Sequence, residues 1–108
     1  MSEARLAANV EVSALLARAT ADGGFGAVLQ KGDAERGTIS IVLMSRGEGT
    51  LLLQRQLQGL GRYGWEARSF TDSGALDLHL GRMRSSDPDM WVLELDVPST
   101  ERFIAEMT

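Results

Sequence analysis

The chain of 108 residues predicts a single α+β domain over residues 1–108: an antiparallel sheet of four to five strands, helices mainly on one face, in the order α-β-β-β-(β)-α-β-α. Three observations predict it. Met90 to Val97 alternates, with Trp91, Leu93, Leu95 and Val97 on one face and Met90, Val92, Glu94 and Asp96 on the other, the period of a half-buried strand. Between Phe25 and Leu57, short β-rich runs are joined by Gly-containing clusters that suit hairpins and are too short for parallel crossovers. Apolar residues at helical spacing lie on either side of these runs.

The first helix is read over Glu3 to Asp22. Val12, Leu15, Leu16 and Ala19 stand at i, i+3, i+4 and i+7, and Leu6 and Val10 extend the stripe. Ser2 or Asn9 is the candidate cap, and Gly23-Gly24 is the stop. The β-branched Val10 and Val12 leave the first half open to an extended form. Phe25 to Lys31 is a short strand, and Gly32 to Gly37 a turn cluster. Thr38 to Ser45 is a stronger strand, Arg46-Gly47-Glu48-Gly49 a tight connection, and Thr50 to Leu57 the return. These three strands are expected to form an antiparallel meander. Trp65 to Phe70 is the optional fourth strand. Asp72 to Arg84 is a helix with Leu76, Leu80 and Met83 at i, i+4 and i+7, capped by Ser69 with Asp72 or by Thr71. Asp87-Pro88-Asp89 stops it, because proline disfavours helix in the residue before it. After the Trp91 strand, Ser99 caps a last short helix bearing Phe103, Ile104 and Met107. The expected core is Leu15, Leu16, Leu29, Ile39, Ile41, Leu43, Leu51, Leu53, Leu76, Leu80, Trp91, Leu93 and Leu95.

Composition narrows the function classes. There is no Cys, which excludes a disulfide scaffold, a Cys-ligated metal and a Cys nucleophile. The N-terminus lacks a basic run followed by an apolar core, and no apolar run approaches membrane-spanning length. A cytoplasmic protein with no membrane contact is expected. The net charge of −4 is unevenly spread: Asp72 to Thr108 carries eight acids against three arginines, whereas Arg46 to Phe70 carries four arginines against two glutamates. Overall acidity argues against a dedicated nucleic-acid binder but leaves room for a local basic strip.

Four constellations bear on chemistry. Gly59-Leu60-Gly61-Arg62-Tyr63-Gly64 matches G-x-G-x-x-G, but a dinucleotide site needs a strand before it, a helix after it and a parallel βαβ unit. A hairpin connection is the expectation, with no cofactor. Arg55, Arg62, Tyr63 and Arg68, interleaved with Trp65 and Phe70, form a candidate nucleic-acid strip, since rings stack on bases and Arg neutralises phosphate. The plainer reading makes Trp65 and Phe70 core and the arginines solvated. Asp87, Asp89, Glu94 and Asp96 with His79 would suit a hard cation, but the strand alternation divides them and Asp is common in proline turns, so no metal is expected. One His, no G-x-S-x-G elbow and no P-loop leave triad chemistry without its parts.

The element order also resembles restriction-endonuclease-like nucleases. Those place an acid near the second strand and an acid-x-Lys on the third to hold Mg²⁺. Thr50 to Leu57 has neither acid nor Lys, and Lys31 is the sole lysine, so a shared fold implies a catalytically degenerate copy.

Three stretches together resemble a family of uncharacterised alphaproteobacterial proteins, domain of unknown function 1491. They are Arg5-Leu6 with Val12-Ser13-Ala14-Leu15-Leu16-Ala17-Arg18, then Lys31-Gly32-Asp33 with Gly37, then Asp87-Pro88-Asp89-Met90-Trp91-Val92-Leu93-Glu94. The resemblance spans essentially the whole chain and departs at Glu11, where an apolar or aromatic residue is expected. It implies a bacterial source and no assigned activity. If these stretches mark the family, Gly32, Gly37 and Trp91 serve turn geometry and the core, or Lys31, Asp33, Arg36, Asp87 and Asp89 form a charged interaction surface on one rim. The expected function is a non-enzymatic protein-interaction or accessory module, with an unknown protein partner and a homodimer among its contacts. The alternative is a nucleic-acid-associated protein using the Arg and aromatic strip, and the third reading is the degenerate nuclease-like fold.

Overall fold

The strand that begins at Trp91 lies inside the sheet, not at its edge. In the computed structural model, which describes residues 6–57, 59–61 and 63–107, the elements follow the expected order. They are α1 (Ala8–Ala21), β1 (Phe25–Gln30), β2 (Ile39–Ser45), β3 (Glu48–Leu57), a 3-10 turn (Gly59–Gly61), β4 (Tyr63–Ser69), α2 (Ser73–Ser86), β5 (Trp91–Asp96) and α3 (Thr100–Met107). The five strands form one mixed sheet in the order β1-β5-β2-β3-β4. It is mostly antiparallel, and β2 and β5 are its parallel pair.

The expected meander of the first three strands is corrected by this order: β1 pairs with β5, and the true meander is β2-β3-β4. The cause is burial. From Met90 to Val97 only Glu94 is not fully buried, and Ile39 to Leu43 is buried without a break. Strands apolar on both faces belong in the interior of a sheet. β1, with Gly26 and Ala27 at its centre, has no such requirement and takes the edge. β1 and β2 keep the opposite directions of a hairpin, opened by one strand to admit β5.

The sheet is covered on both faces. α1 and α3 pack on one, around Val12, Leu15, Ala19, Ile41, Leu53, Trp91, Leu93, Leu95 and Phe103. α2 packs on the other, over Val42, Leu52, Met90 and Val92 through Leu76 and Leu80. Two helices of three thus share a face. The expected core is buried or partly buried apart from Leu29, which is 52% exposed on β1. That correction follows from the edge position, where no helix covers the strand end.

Local signals explain the element ends. Asp72, not Thr71, caps α2 by accepting from Ala75 N–H at 2.8 Å. α1 has no side-chain cap; its Ala8 and Asn9 N–H groups donate to the carbonyls of Glu35 and Ala34. Its C-terminus closes with Gly23 N–H on Thr20 and Gly24 N–H on Ala19, the paired bonds of a Schellman ending. Between β2 and β3, Arg46 (φ 54) and Gly47 (φ 78) make the left-handed two-residue turn that suits the strand twist. The Asp96 carboxylate accepts from both of their N–H groups at 2.7 Å.

Candidate functional site

The fold lays the loop that carries Lys31, Asp33 and Arg36 against the Asp87–Asp89 turn. The loop of residues 31–37 leaves β1, passes across the start of β5 and enters β2. Asp33 N–H donates to Asp89 O at 2.9 Å, and Trp91 Nε1 donates to Asp33 O at 2.7 Å. Gly32 and Gly37 permit this close approach. A Cβ at either would lie 2.1 Å or 2.4 Å, respectively, from the Asp89 carbonyl oxygen. Asp33 is exposed and acts as a loop staple: Oδ1 accepts from Glu35 and Arg36 N–H at 2.9 and 2.8 Å. Those two bonds, the Arg36 one first, hold its carboxyl below the usual range. Asp87 accepts from Thr38 Oγ1 at 3.0 Å and from Asp89 N–H at 3.2 Å. The loop of residues 31–37 and the Asp87–Asp89 turn therefore lie together: the Asp33 and Asp87 carboxylates hold the loops, and Lys31, Asp33, Arg36 and Asp89 are exposed.

The rim continues into β1, which sequence reasoning did not single out as a surface. β1 pairs with β5 alone, so one row of its backbone N–H and C=O groups has no strand opposite. Its six residues, Phe-Gly-Ala-Val-Leu-Gln, include no charge and no proline. Phe25 is 63%, Val28 42% and Leu29 52% exposed, half of the large exposed apolar residues among those described. A register break between Val28 and Gln30 falls at Leu29, and Gln30 then anchors the strand end by donating Nε2 to Met90 O at 2.9 Å. Exposure of apolar side chains on a short, Gly-containing strand leaves no mark in periodicity, which is why the sequence placed Leu29 in the core.

The basic strip is not gathered. Arg55 lies on the α1 face of the sheet, where it forms a two-pronged ion pair with Glu11 and rests 4.7 Å over the Trp65 ring. This pair also accounts for Glu11 where an apolar or aromatic residue is expected: it ties α1 to β3. Arg68 is Cα partner to Leu52, on the α2 face, with its guanidinium 4.8 Å over Phe70. Arg62 and the side chain of Tyr63 lie outside the described residues. The Gly59–Gly61 turn joins two antiparallel strands, as a hairpin connection does. The acids weighed for a cation are separated. Asp87 caps the end of α2, Asp96 ends β5, and the His79 ring lies tilted 5.1 Å from Phe70. Among the described residues no three His, Asp or Glu side chains converge on one point, and no described helix is long and apolar enough to cross a membrane.

Comparison with known proteins agrees on one family. The model for the "Protein of unknown function (DUF1491)" family matches residues 6–105. A crystal structure of a DUF1491 family protein from Caulobacter crescentus is 35% identical, with a TM-score of 0.77 over 88% of this chain and 91% of that one. A solution structure of a protein from A. tumefaciens is 27% identical, with a TM-score of 0.78 over 94% and 93%. An NMR structure of a DUF1491 family protein from Caulobacter crescentus is 31% identical, with a TM-score of 0.75 over 94% of each chain. No curated protein matches the chain.

Proposed function

The chain belongs to the DUF1491 family of proteins of unknown function, and we propose that it is a non-enzymatic protein-interaction module that works through the open edge of β1. The observation that carries this reading is the strand itself: six residues without charge or proline at the end of the sheet, with Phe25, Val28 and Leu29 in solvent. Soluble proteins protect such edges with lysine, proline or a covering segment, because an open edge accepts another strand. Here the register break at Leu29 interrupts the edge but leaves Phe25 to Val28 regular. The partner that fits best is a second copy. Two β1 strands meeting antiparallel across a two-fold axis join uncharged edge to uncharged edge, and each charged rim (Lys31, Arg36, Asp89) then flanks the junction.

Phosphate recognition by the Arg strip draws less support, since Arg55 is already paired with Glu11 and Arg68 lies on the opposite face. The test is the mass in solution of the wild type and of the double variant Phe25→Lys, Leu29→Lys. The wild type is expected to form a dimer that dissociates on dilution, and the variant to stay a monomer with wild-type circular dichroism. A wild type that is monomeric at about 100 μM, a concentration at which weak specific interfaces associate, contradicts the proposal. So does a variant that still dimerises.

A further inference from the structure

Away from the β1 edge, a cleft of about 550 Å³ opens between α2 and the sheet. That volume lies within the range of small-molecule sites, roughly 300–1,000 Å³. Its floor carries a polar pair in an otherwise apolar layer. Ser40 is 2% exposed; its hydroxyl donates to Met90 Sδ at 3.3 Å and accepts from Gln54 Nε2 at 3.3 Å. Gln54 Nε2 also points at Met83 Sδ, 3.4 Å away. Thioether sulfur is a weak acceptor, so the Ser40 proton is only weakly held, while the Ser40 oxygen and the Gln54 amide pair with each other. Among the described residues no donor reaches Gln54 Oε1. Two apolar side chains would fill the same layer under α2 with no polar group to satisfy, as Val42, Leu52 and Val92 do around them.

Among the described residues, Arg55 and Arg82 are the cations that line the cleft, and Arg55 is paired with Glu11. His79 and Arg82 project from α2 into the cleft. The ion pairs among the described residues engage Arg18, Arg55 and Arg102, and Arg82 is in none of them. The acid that lines the cleft, Asp87, is held by Thr38 and by its own turn.

We infer that this cleft binds a small carboxylic acid with an apolar body and a hydroxyl or N–H group. Arg82 takes the carboxylate, the adaptable thioethers of Met83 and Met90 pack the body, and Gln54 Oε1 accepts the donor. This site is independent of the β1 edge, so the lysine substitutions there leave it intact.

The test is an amide NMR titration with indole-3-acetate, 4-hydroxyphenylacetate and octanoate, and with neutral indole-3-acetamide as control. At least one acid is expected to shift Ser40, Gln54, His79 and Arg82 together. Arg82→Met should weaken that acid about tenfold, the usual worth of a charge-assisted contact. Gln54→Leu should weaken the acids that carry a donor and spare octanoate. If none of the acids shifts these residues, if the amide binds as well as the acid, or if Arg82→Met binds as the wild type does, the inference is overturned.

Discussion

Trp91 joins two parts of the molecule that the chain keeps 58 residues apart. Its ring is 5% exposed, within the core under α1, and its indole N–H holds the carbonyl of Asp33 in the rim loop. The first role was legible in the sequence, because alternation from Met90 to Val97 puts Trp91 on an apolar face. The second was not, since alternation carries no information about a loop that arrives from far upstream. Gly37 can be read the same way. It looked like a turn residue, but the fold requires it for contact: an added Cβ would lie 2.4 Å from Asp89 O and 2.7 Å from Trp91 Cδ1. Gly37→Ala should therefore force the loop off β5 and destabilise the protein by about 2–4 kcal/mol, in the upper range for overpacking with a lost hydrogen bond. Urea denaturation checks this, and a midpoint equal to that of the wild type would contradict the account of the rim.

Among the elements, the helices were the most legible. α2 lies within two residues of its expected span and α3 follows its Ser99 cap, whereas α1 begins at Ala8, later than the expected Glu3, and leaves Leu6 and Val10 exposed. An apolar stripe with a capping side chain or a following glycine is a local signal. The edge strand was the least legible. β1 was expected in a hairpin with β2 from loop length alone, and loop length fixes direction but not adjacency. The pairing was decided by the competing strands: β2 and β5 are apolar on both faces and displace β1 outward. The second core layer, Val42, Leu52, Met90 and Val92 beneath α2, was missed for a related reason. A strand buried on both faces reads as a continuous apolar run, and periodicity assigns only one of its faces. Ser40 and Gln54, the polar pair of the cleft, lie in that unassigned layer and could not be picked out before the sheet order was known.

For the whole molecule, three groups contribute to the response to acid in one direction. Burial, then the neighbouring Arg68 and Arg82, keeps the His79 imidazole below its ordinary value of 6.5. Hydrogen bonds from Arg18 and then Arg102 lower Glu106 from 4.5, and the N–H groups of Arg36 and Glu35 lower Asp33 from 3.8. Each of these binds a proton less readily folded than unfolded, so all three act in the same direction. Stability should be level above neutrality and fall first as the pH drops below 6.5, through His79, then again below 4.5 and 3.8, through the carboxylates. A urea midpoint that rises between about pH 7.5 and about pH 5.5 would contradict this sign.

The central claim, that the open edge of β1 is where this domain meets its partner, is tested most directly by hydrogen exchange of the β1 amides across a dilution series. Amides of Phe25 to Leu29 that face away from β5 should exchange more slowly as the protein is concentrated, while those of the central β5 stay constant. Exchange at β1 that is fast and independent of concentration would show an edge that no strand covers, and would contradict the account.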